Sequence, residues 1–209
     1  MEQTKYEYID RYHEGFAKVK LNKKWNFLDK EGNVISDQWF DCCWNFHEKV
    51  AIVGLNGKWN YIDEQGNLFS DQWFDNCGEF YDGFVRVKLN NKYNFINKQG
   101  NYLSDQWFDC CWNFNEGFAI VKVNGRYNFI NKQGNPICDQ WFDACDEFYD
   151  GFAVVILNHR WNFIDYHGYL LSDQWFDECR QFNNGLATVM INGKHRTINT
   201  KGEIVDEKN

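Results

Sequence analysis

The sequence predicts an all-β fold of six tandem 34-residue β-meander repeats, arranged as an open, superhelical, solenoid-like array. Three observations carry that expectation. The motif Asp-Gln-Trp-Phe-Asp begins at Asp37, Asp71, Asp105, Asp139 and Asp173, always at the same interval and without insertions. Short runs alternate apolar and polar residues, the period-two pattern of half-buried strands. No stretch of about ten residues shows helical periodicity. A closed, six-bladed propeller-like ring is the alternative arrangement.

Each repeat opens on a strand. Ala17, Val19 and Leu21 alternate with Lys18 and Lys20, and the pattern returns around Val53, Val87, Val121, Val155 and Val189. A tight turn follows at Asn22-Lys23, Asn56-Gly57, Asn90-Asn91, Asn124-Gly125, Asn158-His159 and Asn192-Gly193. Asn-Gly is a strong hairpin signal, because both central residues of a type I′ turn need positive φ. The second strand is aromatic, as in Trp25-Asn26-Phe27, Trp59-Asn60-Tyr61 and Tyr127-Asn128-Phe129. It ends in Asp or Asn with a glycine three residues later, as at Asp29 and Gly32, which suits a type I turn followed by a left-handed glycine. The third segment carries the five-residue motif, then a cysteine, then a phenylalanine. A polar turn leads on, with glycine at 15, 83, 117, 151 and 185 but lysine at Lys49. If that slot needs positive φ, Lys49 is strained there.

Read from glycine to glycine, residues 1–209 form one repeat array. A half-repeat at 1–14 precedes repeats at 15–48, 49–82, 83–116, 117–150 and 151–184, and a partial repeat at 185–209 follows. The two end pieces are complementary halves, which favours closure into a ring. Their drift from the consensus, Lys5-Tyr6-Glu7 and His195-Arg196-Thr197, favours open ends.

Composition narrows the function classes. Aromatic residues make up 19% of the chain, enough for a packed core. The net charge of −8 disfavours direct nucleic-acid binding, since phosphate backbones repel an acidic surface. No apolar stretch approaches the ~18 residues of a membrane span. Met1 to Asp10 lack the basic and apolar regions of a signal peptide, so a cytoplasmic location is the expectation. Five of the eight cysteines recur at one slot, Cys43, Cys77, Cys111, Cys145 and Cys179. That placement suggests a buried column of thiols rather than disulfides or a metal site.

The combination of Phe-x-x-Gly-Phe-Ala-x-Val with Lys-Trp-x-Phe-Ile-Asp-x-x-Gly and an aromatic-Asp pair resembles the WG (or KWG) β-rich repeat family of bacteria. Phe114 to Val121 and Arg126 to Gly134 show it well, and the resemblance covers nearly the whole chain. The family varies in copy number, which leans toward open arrays, and it implies no catalytic residues. One departure is systematic. The glycine that follows the Trp or Tyr in the family is here Asn26, Asn60, Asn94, Asn128 and Asn162.

The carboxylate pairs Asp37/Asp41, Asp71/Asp75, Asp105/Asp109, Asp139/Asp143 and Asp173/Asp177 are five equivalent copies, whereas an active site is normally one asymmetric constellation. They read as turn-capping groups, with calcium binding and catalysis as the alternatives. No enzymatic activity and no cofactor are expected. Scaffold positions hold a repeat array together, and positions that differ between copies tune its surface. The candidate partner-binding residues are therefore those just after each column cysteine: Trp44 and Asn45, Glu79, Trp112 and Asn113, Asp146 and Glu147, and Arg180. The expected function is a non-enzymatic scaffold for protein–protein interaction. The alternatives are a carbohydrate-binding array that uses its aromatic columns and an acidic inhibitor or decoy of a nucleic-acid-binding protein.

Overall fold

Two tight turns per repeat set the strands. In the computed structural model, which describes residues 5–205, both central residues have positive φ in each: Asn56 and Gly57 at +52° and +73°, for example, and Glu116 and Gly117 at +49° and +86°. These are the left-handed conformations that match the twist of an antiparallel hairpin. The result is six three-stranded antiparallel sheets, each with its strands in chain order. They are β1 (Tyr8–His13), β2 (Phe16–Leu21) and β3 (Lys24–Leu28); β4 (Cys42–Cys43), β5 (Val50–Leu55) and β6 (Lys58–Asp63); β7 (Asn76–Cys77), β8 (Phe84–Leu89) and β9 (Lys92–Asn97); β10 (Cys110–Cys111), β11 (Phe118–Val123) and β12 (Arg126–Asn131); β13 (Ala144–Tyr149), β14 (Phe152–Leu157) and β15 (Arg160–Asp165); β16 (Glu178–Cys179), β17 (Leu186–Ile191) and β18 (Lys194–Asn199). No helix occurs among the described residues, so none is long and apolar enough to cross a membrane.

The second to fifth sheets run from the column cysteine to the aromatic strand; Ile9 holds the column slot in the first sheet, and His195-Arg196-Thr197 replaces the aromatic segment in the sixth. β1 pairs with β2, Ile9 facing Val19, and so completes the first sheet. β17 and β18 likewise join β16. Each end piece completes its own sheet, and the complementary halves read from the sequence disappear once the sheet is taken as the unit. The chain divides into two units, Met1–Asn91 with Phe95–Tyr102, and Lys92–Asn94 with Leu103–Asn209.

Within each unit the core lies between successive sheets. One cluster joins Phe27 of the first sheet to Phe46, Ala51, Val53 and Ile62 of the second, through Phe40 on the connection between them. A second joins Ile120 and Phe129 to Phe148, Ala153, Val155 and Ile164. A third joins Val154 and Phe163 to Cys179, Ala187, Val189 and Ile198. The column cysteines take part as packed thiols. All eight cysteines are free. Burial pushes the thiols of Cys43, Cys145 and Cys179 up to about 12 and that of Cys77 up to about 11, so they stay protonated. Cys138 fills the slot that holds Ser36, Ser70, Ser104 and Ser172 in other repeats, and its Sγ lies 3.3 Å from the Gln140 carbonyl.

Lys49 occupies a glycine slot with φ +71°, while Gly15, Gly83 and Gly117 sit there at +92°, +87° and +86°. The Glu14 carboxylate accepts from the backbone N–H groups of Glu48 and Lys49, at 3.1 and 3.0 Å, and holds the turn in place. A left-handed non-glycine residue costs roughly 1–2 kcal/mol. Lys49→Gly is therefore expected to raise stability by about 1 kcal/mol in urea unfolding. No gain would mean that the left-handed lysine carries no net strain, its side chain being paired with Glu64 at 3.8 Å.

Candidate functional site

Residues shared between copies build the corners between sheets. At each corner the motif's Phe pairs backward and the next residues pair forward. Phe40 exchanges two backbone hydrogen bonds with Trp25 of β3, at 2.8 and 2.9 Å. The N–H of the next residue, Asp41, donates to Gly54 of β5 at 2.8 Å. The same exchange recurs at Phe74, Phe108, Phe142 and Phe176.

The asparagine that replaces the family glycine latches this corner. Asn26 is fully buried, and its Nδ2 donates to the carbonyls of Ser36 and Gln38, at 2.8 and 3.0 Å. Its Oδ1 accepts the N–H of Phe27 at 2.8 Å. Asn60 and Asn128 repeat all three bonds. The sixth sheet has Arg196 in this slot, and no further corner follows it among the described residues.

The carboxylate pairs divide unequally. The second Asp of each motif caps the next hairpin turn: Asp41, Asp75, Asp109 and Asp143 accept the N–H of Asn56, Asn90, Asn124 and Asn158 at 2.6–2.7 Å. Each also forms an ion pair with a basic residue at the head of the preceding aromatic strand: Lys24, Lys58, Lys92 and Arg126 respectively. The lysine and then the turn amide hold the carboxyls of Asp41, Asp75 and Asp109 below the usual range. The first Asp was expected to cap as well. Asp37, Asp71, Asp105, Asp139 and Asp173 are instead exposed and cap no turn. Within each pair, then, only the second carboxylate is tied into the fold. Among the described residues no cluster of His, Cys, Asp and Glu is placed to hold a metal ion.

The motif tryptophans are half-buried wedges. Trp73 packs against the core of the first two sheets, and Trp175 against that of the fourth and fifth. The variable residues remain open to solvent. Trp44 is 49% exposed and lies 4.8 Å from the ring of Trp59; Trp112 is 37% exposed and lies 6.0 Å from Tyr127.

Two clefts form beside these tryptophans. The first, about 450 Å³, is lined by Trp44 and Asn45 with His13, His47, Glu48, Tyr61, Glu79 and Phe80. The second, about 360 Å³, is lined by Trp112 and Tyr127 from the fourth sheet and by Cys145, Asp146, Glu147 and Tyr149 from the fifth. Volumes of this order suit a side chain or a small ligand. The structure thus places Trp44, Asn45 and Glu79 in one cleft and Trp112, Asp146 and Glu147 in the other. Asn113 borders a shallow depression beside the second. Arg180 lies on the sixth sheet among Glu178, Cys179 and Thr188, in neither cleft. Sequence reasoning missed His13, His47 and Tyr149. Their slot also varies between copies, as His13, His47, Tyr81, Asn115, Tyr149 and Asn183, and that variation is the signal that points to it.

Comparison with known proteins gives one family. The pattern described as "WG containing repeat" matches residues 3–25, 27–59, 61–93, 95–127, 129–161 and 176–194. No curated protein matches the chain. Among solved structures it is similar to Hsv2p of Kluyveromyces lactis, at 9% identity and a TM-score of 0.37, over 92% of this chain and 74% of that one. It is also similar to apo AztD of Citrobacter koseri, at 10% identity and a TM-score of 0.41, over 95% of this chain and 71% of that one. Scores this low carry nothing about function.

Proposed function

We propose that this chain, which belongs to the WG containing repeat family, is a non-enzymatic scaffold that binds a protein partner through the clefts beside Trp44 and Trp112. One observation carries the reading. Shared residues such as Asn26 and Asp41 latch and cap the corners, while residues that differ between copies, Trp44 and Asp146 among them, line open clefts. Exposed tryptophan and tyrosine are favoured anchors of protein interfaces, because they bury a large area at little entropic cost.

A second reading has support at the first cleft. There an exposed indole stands beside amide, imidazole and carboxylate groups, a mixture that suits stacking on a sugar ring and hydrogen bonding to its hydroxyls.

The test is affinity capture from the native host with mass-spectrometric identification, using the intact chain and its Trp44→Ala and Trp112→Ala variants. Both variants are expected to keep the far-ultraviolet spectrum of the parent and to lose at least tenfold in affinity for the captured partner. Undiminished capture by both variants would remove the clefts from the interaction. Binding on a glycan array that disappears with Trp44→Ala would favour the saccharide reading instead.

A further inference from the structure

The internal repeat supplies its own reference for the second cleft. In the first sheet, Asp10 occupies the slot just after the column position, and the Lys18 ammonium lies 3.3 Å from its carboxylate. Four periods later the same slot holds Asp146, but the slot of Lys18 holds the buried Val154. The fifth sheet has the carboxylate without the cation that the first sheet places beside it.

Asp146 and its neighbour Glu147 have only neutral partners. Gln181 donates to Asp146 at 2.7 Å, and Asn115 donates to Glu147 at 3.3 Å. Both acids lie where the register between β13 and β14 slips, between Cys145 and Phe148. A bulge of this kind re-aims side chains out of the ladder, and bulges recur beside binding sites. Here the two acids line the cleft against Trp112 and Tyr127. Tyr149, 45% exposed, lines it too, and no basic residue does.

The aromatic column accepts ammonium groups both in the first sheet and at the wall of this cleft. The Lys20 Nζ lies 5.3 Å from the ring centre of Trp25, and the Lys122 Nζ 4.7 Å from that of Tyr127. Lys122 occupies Tyr127, whose ring also lies 6.0 Å from that of Trp112, and Trp112 and Tyr149 are the exposed aromatic groups that remain. An ammonium over an aromatic face beside a carboxylate is held by the ring quadrupole and by charge together.

We infer that the cleft between the fourth and fifth sheets seats a lysine side chain from an extended basic segment of a partner protein, which supplies the cation that Lys18 supplies in the first sheet. This rests on the scaffold reading above and names the chemistry of the partner.

The probe is a fluorescently labelled peptide with five lysines spaced by Gly-Ser, and a matched peptide with every lysine acetylated. Binding to the intact chain is read by fluorescence anisotropy. The lysine peptide is expected to bind at least tenfold more tightly than the acetylated one. Asp146→Asn with Glu147→Gln, and separately Trp112→Ala, are each expected to weaken it at least tenfold. Asp29→Asn with Glu31→Gln removes the same charge away from the cleft and is expected to change affinity less than twofold. Equal weakening by both charge-removing pairs would reduce the interaction to the general acidity of the surface and overturn the inference. So would equal binding of the two peptides, or no binding. If the lysine peptide fails while capture of a native partner still depends on Trp112, the cation inference falls and the scaffold reading stands.

Discussion

Gly100→Ala is expected to destabilise the chain by roughly 3–5 kcal/mol, from left-handed strain and overpacking together. The glycine has φ +79°, and a Cβ placed on it would lie 1.8 Å from the carbonyl oxygen of Phe69 and 2.8 Å from its carbon. Those atoms are backbone, held at the corner one repeat earlier, so no side-chain rotation relieves the clash. Gly66, Gly134 and Gly168 meet the Ile35, Leu103 and Ile137 carbonyls in the same way. Gly32 is the built-in control. It has φ +85° in the equivalent turn but no atom within 4 Å of an added Cβ. Gly32→Ala is expected to cost only the conformational strain, roughly 1–2 kcal/mol. Urea unfolding of both variants checks the comparison. Equal losses would show that backbone conformation, and not the close approach, makes this glycine necessary.

Asn128→Ala should rank beside it. The side chain donates to the carbonyls of Cys138 and Gln140, at 2.8 and 3.2 Å, and accepts the N–H of Phe129 at 2.7 Å. Its removal leaves backbone groups without partners inside the fold. Each such group costs about 1–3 kcal/mol, so a total of roughly 3 kcal/mol is expected from these three bonds. Asn128→Asp keeps the acceptor, removes the donor and buries a charge against two carbonyl oxygens. It should be at least as damaging at neutral pH. Thermal unfolding of the two variants measures this. Parent-like melting of Asn128→Ala would mean that water replaces the amide at the corner.

The strands and hairpins were legible because their causes are local. Positive φ at Asn56 and Gly57, or at Asn124 and Gly125, follows from residues adjacent in the chain. Strain at Lys49 was legible by comparison with its five glycine counterparts, and its φ of +71° agrees. The corner was not legible. An Asn whose amide bonds carbonyls ten and twelve residues onward looks, in sequence, like a polar residue in an aromatic strand. Only the fold shows that it is fully buried. The unequal roles of Asp37 and Asp41 were hidden for a similar reason, since both recur with equal regularity. What distinguishes Asp41 is its reach to Asn56 and Lys24, on different sheets. The candidate clefts were half legible. Variation between copies pointed to Trp44, Trp112, Asp146 and Glu147. It could not show that Arg180 lies apart from them, or that His13 and His47 share the first cleft, because both depend on how neighbouring sheets pack.

The corner also bears on how such a chain grows. Phe40 binds the sheet before it and Asp41 the sheet after it. Every 34-residue unit therefore carries both halves of its own joint. A tandem duplication of one unit brings a complete joint with it, and a deletion of one unit removes a complete joint. Neither leaves an unmatched surface in the middle of the chain. Copy number is then free to change in a single genetic event, and the new copy's Trp44-like slot is free to diverge at once.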